Sequence, residues 1–254
     1  MKIKTIIICL VAAFAFASCS TELKLAKRYV DDFHDIHAAV YFPEQAKVTL
    51  IQSEQGDYSK VLDSLDQDAF LDIMYAAYAD EMSTYGVEVY IPEDQNNVPV
   101  DSVNWLVVLS QVEIQGLITN YIEEYYDLTD EYGVNLSLNT VNVAAWFDIN
   151  DGEWLPTMYY EHNLRDDVSS SVKENDKGVV SCQSDVKPIF ITDVYNYAVY
   201  LGKQYAGFTY NTMMNRFIRS EMLKSKATPR FKLSWNPSDK SFYLQEDEDG
   251  FIEL

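Results

Sequence analysis

Hydrophobic and polar positions along the chain alternate between helical and strand-like spacing, and this fixes most of the expected elements. Leu23 to Ile36 carries Ala26, Tyr29, Val30, Phe33 and Ile36 near one face, which predicts a helix. Val40 to Phe42 and Val48 to Ile51 read as short strands separated by Pro43. A second helix runs to Tyr85, with Asp66 or Asp68 as its cap and Phe70, Ile73, Met74, Ala77 and Tyr78 on its apolar side. Gly86 stands where a C′ residue would end it, and Val87 to Ile91 then alternates as a strand.

Farther on, Trp105 to Leu109 is an unbroken apolar run, as expected of a central strand covered on both faces, and Val112 and Ile114 continue it by alternation. Thr140 to Ile149 puts Val141, Val143, Ala145, Phe147 and Ile149 on one face. The turn signal Asn150-Asp151-Gly152 returns the chain through Trp154 to Leu164. Ser169 to Gly178 is polar and reads as a loop. A long helix from Asp193 to about Lys224, capped by Thr192, shifts its apolar stripe after Gly207, where a bend is expected. Phe231 to Trp235 and Ser241 to Leu244 form a last hairpin, and the acidic Glu246 to Leu254 is expected to fray. The fold class is therefore α/β (α+β): a mixed sheet with helices packed on it, a long C-terminal helix and a terminal β-hairpin.

The first eighteen residues have a different pattern. Lys2 and Lys4 precede a largely apolar run from Ile6 to Phe16, too short to span a bilayer core ~30 Å thick. Phe16-Ala17-Ser18-Cys19 resembles the lipobox of bacterial lipoproteins, with Phe where Leu is more usual. The resemblance implies that residues 1–18 are a signal peptide and that Cys19 is acylated. Residues 19–254 are then expected to form a single globular domain with an acidic C-terminal tail. Two or more acyl chains give stable anchoring, so the chain needs no apolar helix of its own at a membrane. Ser20 stands where inner-membrane retention signals usually carry Asp, so the sorting rule implies the outer membrane, with the facing side open. Ordinary cleavage near Ala17 is the competing reading.

Charge and cysteine content narrow the function classes. The formal charge of −21 becomes −23 without Lys2 and Lys4, which excludes nucleic acid as a partner and disfavours electrostatic docking to anionic lipid. With Cys9 in the signal and Cys19 acylated, only Cys182 remains, so no internal disulfide forms. No basic residue near Cys182 in sequence lowers its pKa, and it reads as a strand or loop cysteine.

Candidate chemistry is sparse. In "DDFHDIH", His34 and His37 lie three apart with Asp31 one turn before His34, a spacing that could offer two imidazoles and a carboxylate to a metal. The H-E-x-x-H spacing is missing and only His162 remains to complete a site, so a solvated helix end is expected and no metal or cofactor. "DINDGEW" and "QEDEDGF" lack the ligand order of an EF-hand. No G-x-S-x-G, P-loop or G-x-G-x-x-G occurs. The adjacent pairs Glu123/Glu124 and Asp166/Asp167 would point to opposite faces of a strand.

From Ala46 to Leu164, the order strand, helix closed by Gly86, "VEVYIP", "SVNWLVVLSQVEIQ" and hairpin resembles the α/β domain of helper lipoproteins that attend envelope assembly and ABC-type export. The whole chain resembles Gram-negative outer-membrane lipoproteins, which implies no activity. The expected function is non-catalytic: binding or assembly help for an envelope protein, on a membrane held through lipid on Cys19. A glycan-binding surface lipoprotein and a hydrolase of envelope polymers are the alternatives.

Overall fold

The computed structural model describes residues 21–32, 36–91, 105–126, 131–150, 157–174, 176, 178, 180–245 and 251–253. It shows a mixed α/β fold in which helices cover one face of a seven-stranded sheet. In chain order the elements are helix α1 (residues 21–32), strands β1 (Ile36–Tyr41) and β2 (Lys47–Leu50), a 3-10 turn (Val61–Ser64), helix α2 (Gln67–Thr84) and strand β3 (Val87–Tyr90). Then come β4 (Trp105–Tyr126), β5 (Glu131–Asn150), β6 (Thr157–Arg165), β7 (Asp167–Glu174), β8 (Val180–Lys187), helix α3 (Ile191–Lys224), β9 (Leu233–Asn236), β10 (Ser241–Leu244) and β11 (Phe251–Glu253).

The sheet order is β11-β6-β5-β4-β1-β3, and β2 shares with β1 the second edge of β4. Strands β1, β2 and β3 join in parallel, whereas β4, β5, β6 and β11 pair antiparallel. The expected inward face of β5 is the core: Val141, Val143, Ala145, Phe147 and Ile149 are all buried. Opposite them, β4 contributes Val107 and Leu109, then Val112 and Ile114, a change of parity that a regular strand cannot accommodate. A bulge between Leu109 and Gln111 resolves it, with the Ser110 hydroxyl donating to the Trp146 carbonyl at 2.9 Å. Leu106 and Val108 on the other face are only half-buried, so coverage of β4 on both faces is a correction to the sequence reading.

Helix α2 starts and stops as its sequence dictates. The Asp66 carboxylate accepts the Ala69 N–H at 3.1 Å, and Gly86 takes φ +77° just past the end. Helix α3 is capped differently from expectation: Phe190 is the cap residue, its N–H donates to Asp193 at 2.8 Å, and Thr192 lies inside the helix. It runs uninterrupted through Gly207. The stripe shifts because α1, α2 and the sheet meet α3 on different sides, burying Phe208, Tyr210, Met213 and Met214 in one stretch. Gly202 sits at the α2 crossing, where a Cβ would overlap the Met74 carbonyl. The terminal hairpin β9–β10 is strapped to α3 by Asn211 and Asn215, which exchange hydrogen bonds with the Leu233 and Trp235 backbone.

Three further expectations are corrected. The first helix does not reach Ile36, which opens β1 between β3 and β4, where paired backbone on both sides outweighs helical spacing. Most of the polar stretch is strand rather than loop: residues 169–174 belong to β7, which pairs with β8. The acidic end does not simply fray, because β11 adds to the open edge of β6.

Candidate functional site

Strands β4 and β5 continue well past the sheet. On β4, pairing with β2 ends at Gly116; on β5, pairing with β6 ends at Thr140. From Ile118↔Asn139 out to Tyr126↔Glu131 the two strands pair only with each other among the described strands. This two-stranded ribbon is about 30 Å long at roughly 3.3 Å per residue. In sequence, the alternation through Val112 and Ile114 is followed by Gly116, a weak strand residue. Here it is needed: a Cβ would lie 3.0 Å from Leu62 and 3.2 Å from Leu50.

The ribbon has two unlike faces. Leu117, Thr119 and Tyr121 lie with Leu138, Leu136 and Val134 on one side; Asn120 and Ile122 lie with Ser137 and Asn135 on the other. Leu138, at the base, is buried, while Tyr121, Leu136 and Val134 are half-buried and Ile122 is 62% exposed. The Arg165 guanidinium rests 5.9 Å from the Tyr121 ring centre. The alternation of apolar residues over 117–121 and 134–138 was the available sequence signal.

A buried carboxylate fixes the base. Asp166 accepts the Asn139 N–H at 2.8 Å, the Asn139 side-chain amide at 3.0 Å and the Ile189 N–H at 2.8 Å. It thereby ties the ribbon to Ile189, two residues before α3, and its neighbour Asp167 faces solvent. At its far end, α3 meets α1: Glu22 accepts the Arg230 N–H, and Arg28 reaches Glu221 at 3.3 Å. The ribbon therefore leaves the body at the end of α3 opposite the start of α1, about 50 Å away along a 34-residue helix.

Charge follows the same axis. Residues 61–164 contain no Lys or Arg but twenty Asp and Glu, so the stretch from the 3-10 turn into β6, its connecting segments included, carries nearly all the net negative charge. Ribbon residues 118–139 contribute five acidic residues and four tyrosines.

The other candidate residues that are described do not converge. His37 lies on β1, its Nδ1 3.1 Å from Glu88 of β3. His34 and Asp35 lie outside the described residues, as do Asp151, Gly152 and the "EDEDG" tail segment; the side chains of Glu123 and Glu124 also lie outside them. His162 on β6 stacks on Tyr197 at 5.2 Å, and Tyr197 stacks on Tyr200 at 5.6 Å. Only Tyr200 of these two tyrosines offers a substantial surface, being 43% exposed against 7%. Cys182 is a free, half-buried thiol on β8, opposite Val172. Among the described residues no three His, Cys, Asp or Glu side chains gather as a metal site, and no helix is long and apolar enough to cross a membrane. Cys19 and residues 1–18 lie outside the described residues.

Between the helices and the sheet, Val40, Phe42, Tyr78, Leu109, Phe147 and Thr209 border a cavity of about 10 Å³. That is room for one water and for no organic ligand. Burial pushes the Tyr78 phenol well above its ordinary value. On the opposite face of the sheet, the Lys47 ammonium 2.6 Å away holds the Glu113 carboxyl below its ordinary value of 4.5, with Gln111 and Gln115 also donating to it.

No family model and no curated protein matches the chain. Among solved structures, the chain is similar to a putative neuraminyllactose-binding hemagglutinin homolog from Helicobacter pylori, at 8% identity and a TM-score of 0.38 over 73% of this chain and 91% of that one. At that score neither fold nor ligand is carried over.

Proposed function

We propose that the protein is an outer-membrane lipoprotein held by acyl chains on Cys19, and that it binds an envelope protein partner without catalysing a reaction. The observation that carries this reading is the ribbon: a preformed pair of strands, open along both edges among the described residues, at the end of the body away from α1. An open strand edge can take an added strand from a partner through backbone hydrogen bonds, while Tyr121, Ile122 and Leu136 supply apolar contacts. The uniformly negative charge of residues 61–164 favours a partner whose contacting surface is basic. No catalytic role is assigned. Asp166 is occupied by three N–H donors, and the His162 ring is stacked on tyrosine.

Two experiments test the reading. In cells fed a labelled fatty acid, Cys19→Ala should lose both the label and the membrane fraction; a labelled, membrane-bound variant contradicts the anchor. A photo-crosslinking residue at position 122 of the anchored protein should give a discrete protein adduct, and the same probe at Lys173 on β7 should not. Adducts of equal yield at both positions contradict the ribbon as the binding surface. The glycan alternative leans on Tyr200 and His162, and would be favoured if Tyr200→Ala alone abolished retention on an envelope polysaccharide column.

A further inference from the structure

The end of the molecule opposite the ribbon has the reverse electrostatic character. Helix α1 lies antiparallel on the C-terminal half of α3: Arg28 meets Glu221, the Tyr29 ring packs 5.3 Å from Phe217, and beyond the helix the Arg230 backbone N–H donates to the Glu22 carboxylate. The start of α1, the end of α3 and the segment after it are thereby gathered at one pole. Residues 21–32 and 216–232 hold nine basic side chains against four acidic ones. Of those four, Glu22 is buried and Glu221 is bound by Arg28 and Lys224. Lys24, Lys27, Lys226 and Arg230 are exposed, and so are two large apolar side chains, Leu23 at 42% and Leu223 at 50%.

We propose that this pole is a membrane-docking face that lies on anionic phospholipid headgroups, with Leu23 and Leu223 entering the boundary between headgroups and acyl chains. Basic side chains flanking exposed leucines suit such a surface, the first through charge and the second through apolar burial. Chain length agrees. Cys19 is two residues before Thr21, so at most about 7 Å of chain separates the proposed lipid attachment from the start of α1. The inference rests on the lipoprotein reading for its geometry, since the anchor brings the patch to the bilayer and the patch then sets the orientation. Net charge alone disfavours anionic lipid, but what meets the lipid is this pole, and the acidic ribbon is aimed away from it.

The test uses the full-length protein purified from membranes. A Cys182→Ser background carries an environment-sensitive fluorophore on Leu223→Cys or, as the distal control, Ile122→Cys. Flotation with vesicles of pure phosphatidylcholine reports the anchor; quenching by shallow spin-labelled lipid, with or without about a third phosphatidylglycerol, reports the patch. Quenching at position 223 should rise at least about threefold with the anionic lipid, fall back in high salt, and be lost in K24E/K27E/K226E/R230E; position 122 should stay unquenched. Flotation with anionic vesicles alone would retain the docking face and discard the anchor. Flotation with both vesicles and equal quenching at 223 and 122 overturns the docking face and leaves the anchor. Flotation with neither, or salt-sensitive self-association that uses up the basic pole without lipid, also overturns it.

Discussion

Strands β4 and β5 pass through two regions of opposite character. Inside the body, Val107, Leu109, Val112 and Ile114 face Val141, Val143, Ala145 and Phe147 beneath α2 and α3, and every one is at most 5% exposed. A few residues later the same strands carry Tyr121 and Leu136 half-buried and Ile122 mostly in water. Burial stabilises the first region, at about 25 cal/mol per Å² of apolar surface removed from water. The second gains little from folding beyond its own cross-strand pairs, so its apolar side chains are free to be spent on a partner. Stability and binding should therefore separate by mutation along a single pair of strands.

The largest expected effects lie in the body. Phe147, 2% exposed and edge-on to Tyr205 at 5.3 Å, should cost about 3–5 kcal/mol when cut to Ala. Leu109→Ala should cost about 2–5 kcal/mol, whereas the half-buried Leu106 should lose under about 2 kcal/mol, as denaturant midpoints would show. Equal losses at Leu106 and Leu109 would restore the two-sided coverage that the apolar run suggests.

The seam between the regions comes next. Asp166→Ala removes the acceptor of two backbone N–H groups and one side-chain amide, and should cost about 2–3 kcal/mol. It should also raise amide exchange at Asn139 and Ile189 more than at Val143. A uniform rise would mean that Asp166 supports the body rather than the ribbon base.

A smaller effect is pH-dependent. Glu113 is held below 4.5 by Lys47, so the pair adds stability above that value and loses it as pH falls through the lowered folded value. Wild type should exceed Glu113→Gln by about 1 kcal/mol at most at neutral pH, and the difference should close as the pH falls through the lowered folded value. A gap that widens on acidification would contradict the assignment.

Elements with a local signal were legible before the structure. The Asp66 cap, Gly86 and the apolar positions of α2 lie within one stretch of chain, as does the inward face of β5. What escaped depends on partners distant in sequence. Ile36 becomes strand only because β3 and β4 flank it, and β11 exists only as an addition to β6. The ribbon was hidden by Gly116, whose smallness answers to Leu50 and Leu62. The β7–β8 hairpin was hidden by serines that alternate without hydrophobic contrast. Of the candidate site, the charge gap from residue 61 to 164 is visible in the sequence, but its alignment with the ribbon requires the course of α3.

The most direct test of the central claim is co-purification from membranes with the double variant Tyr121→Ala/Ile122→Asp. These side chains are outside the core, so the thermal midpoint should stay close to wild type, with less than about 1 kcal/mol lost. The protein that crosslinks at position 122 in the wild type should no longer co-purify. Undiminished co-purification of that protein with the double variant, at unchanged stability, would contradict the ribbon as the binding surface.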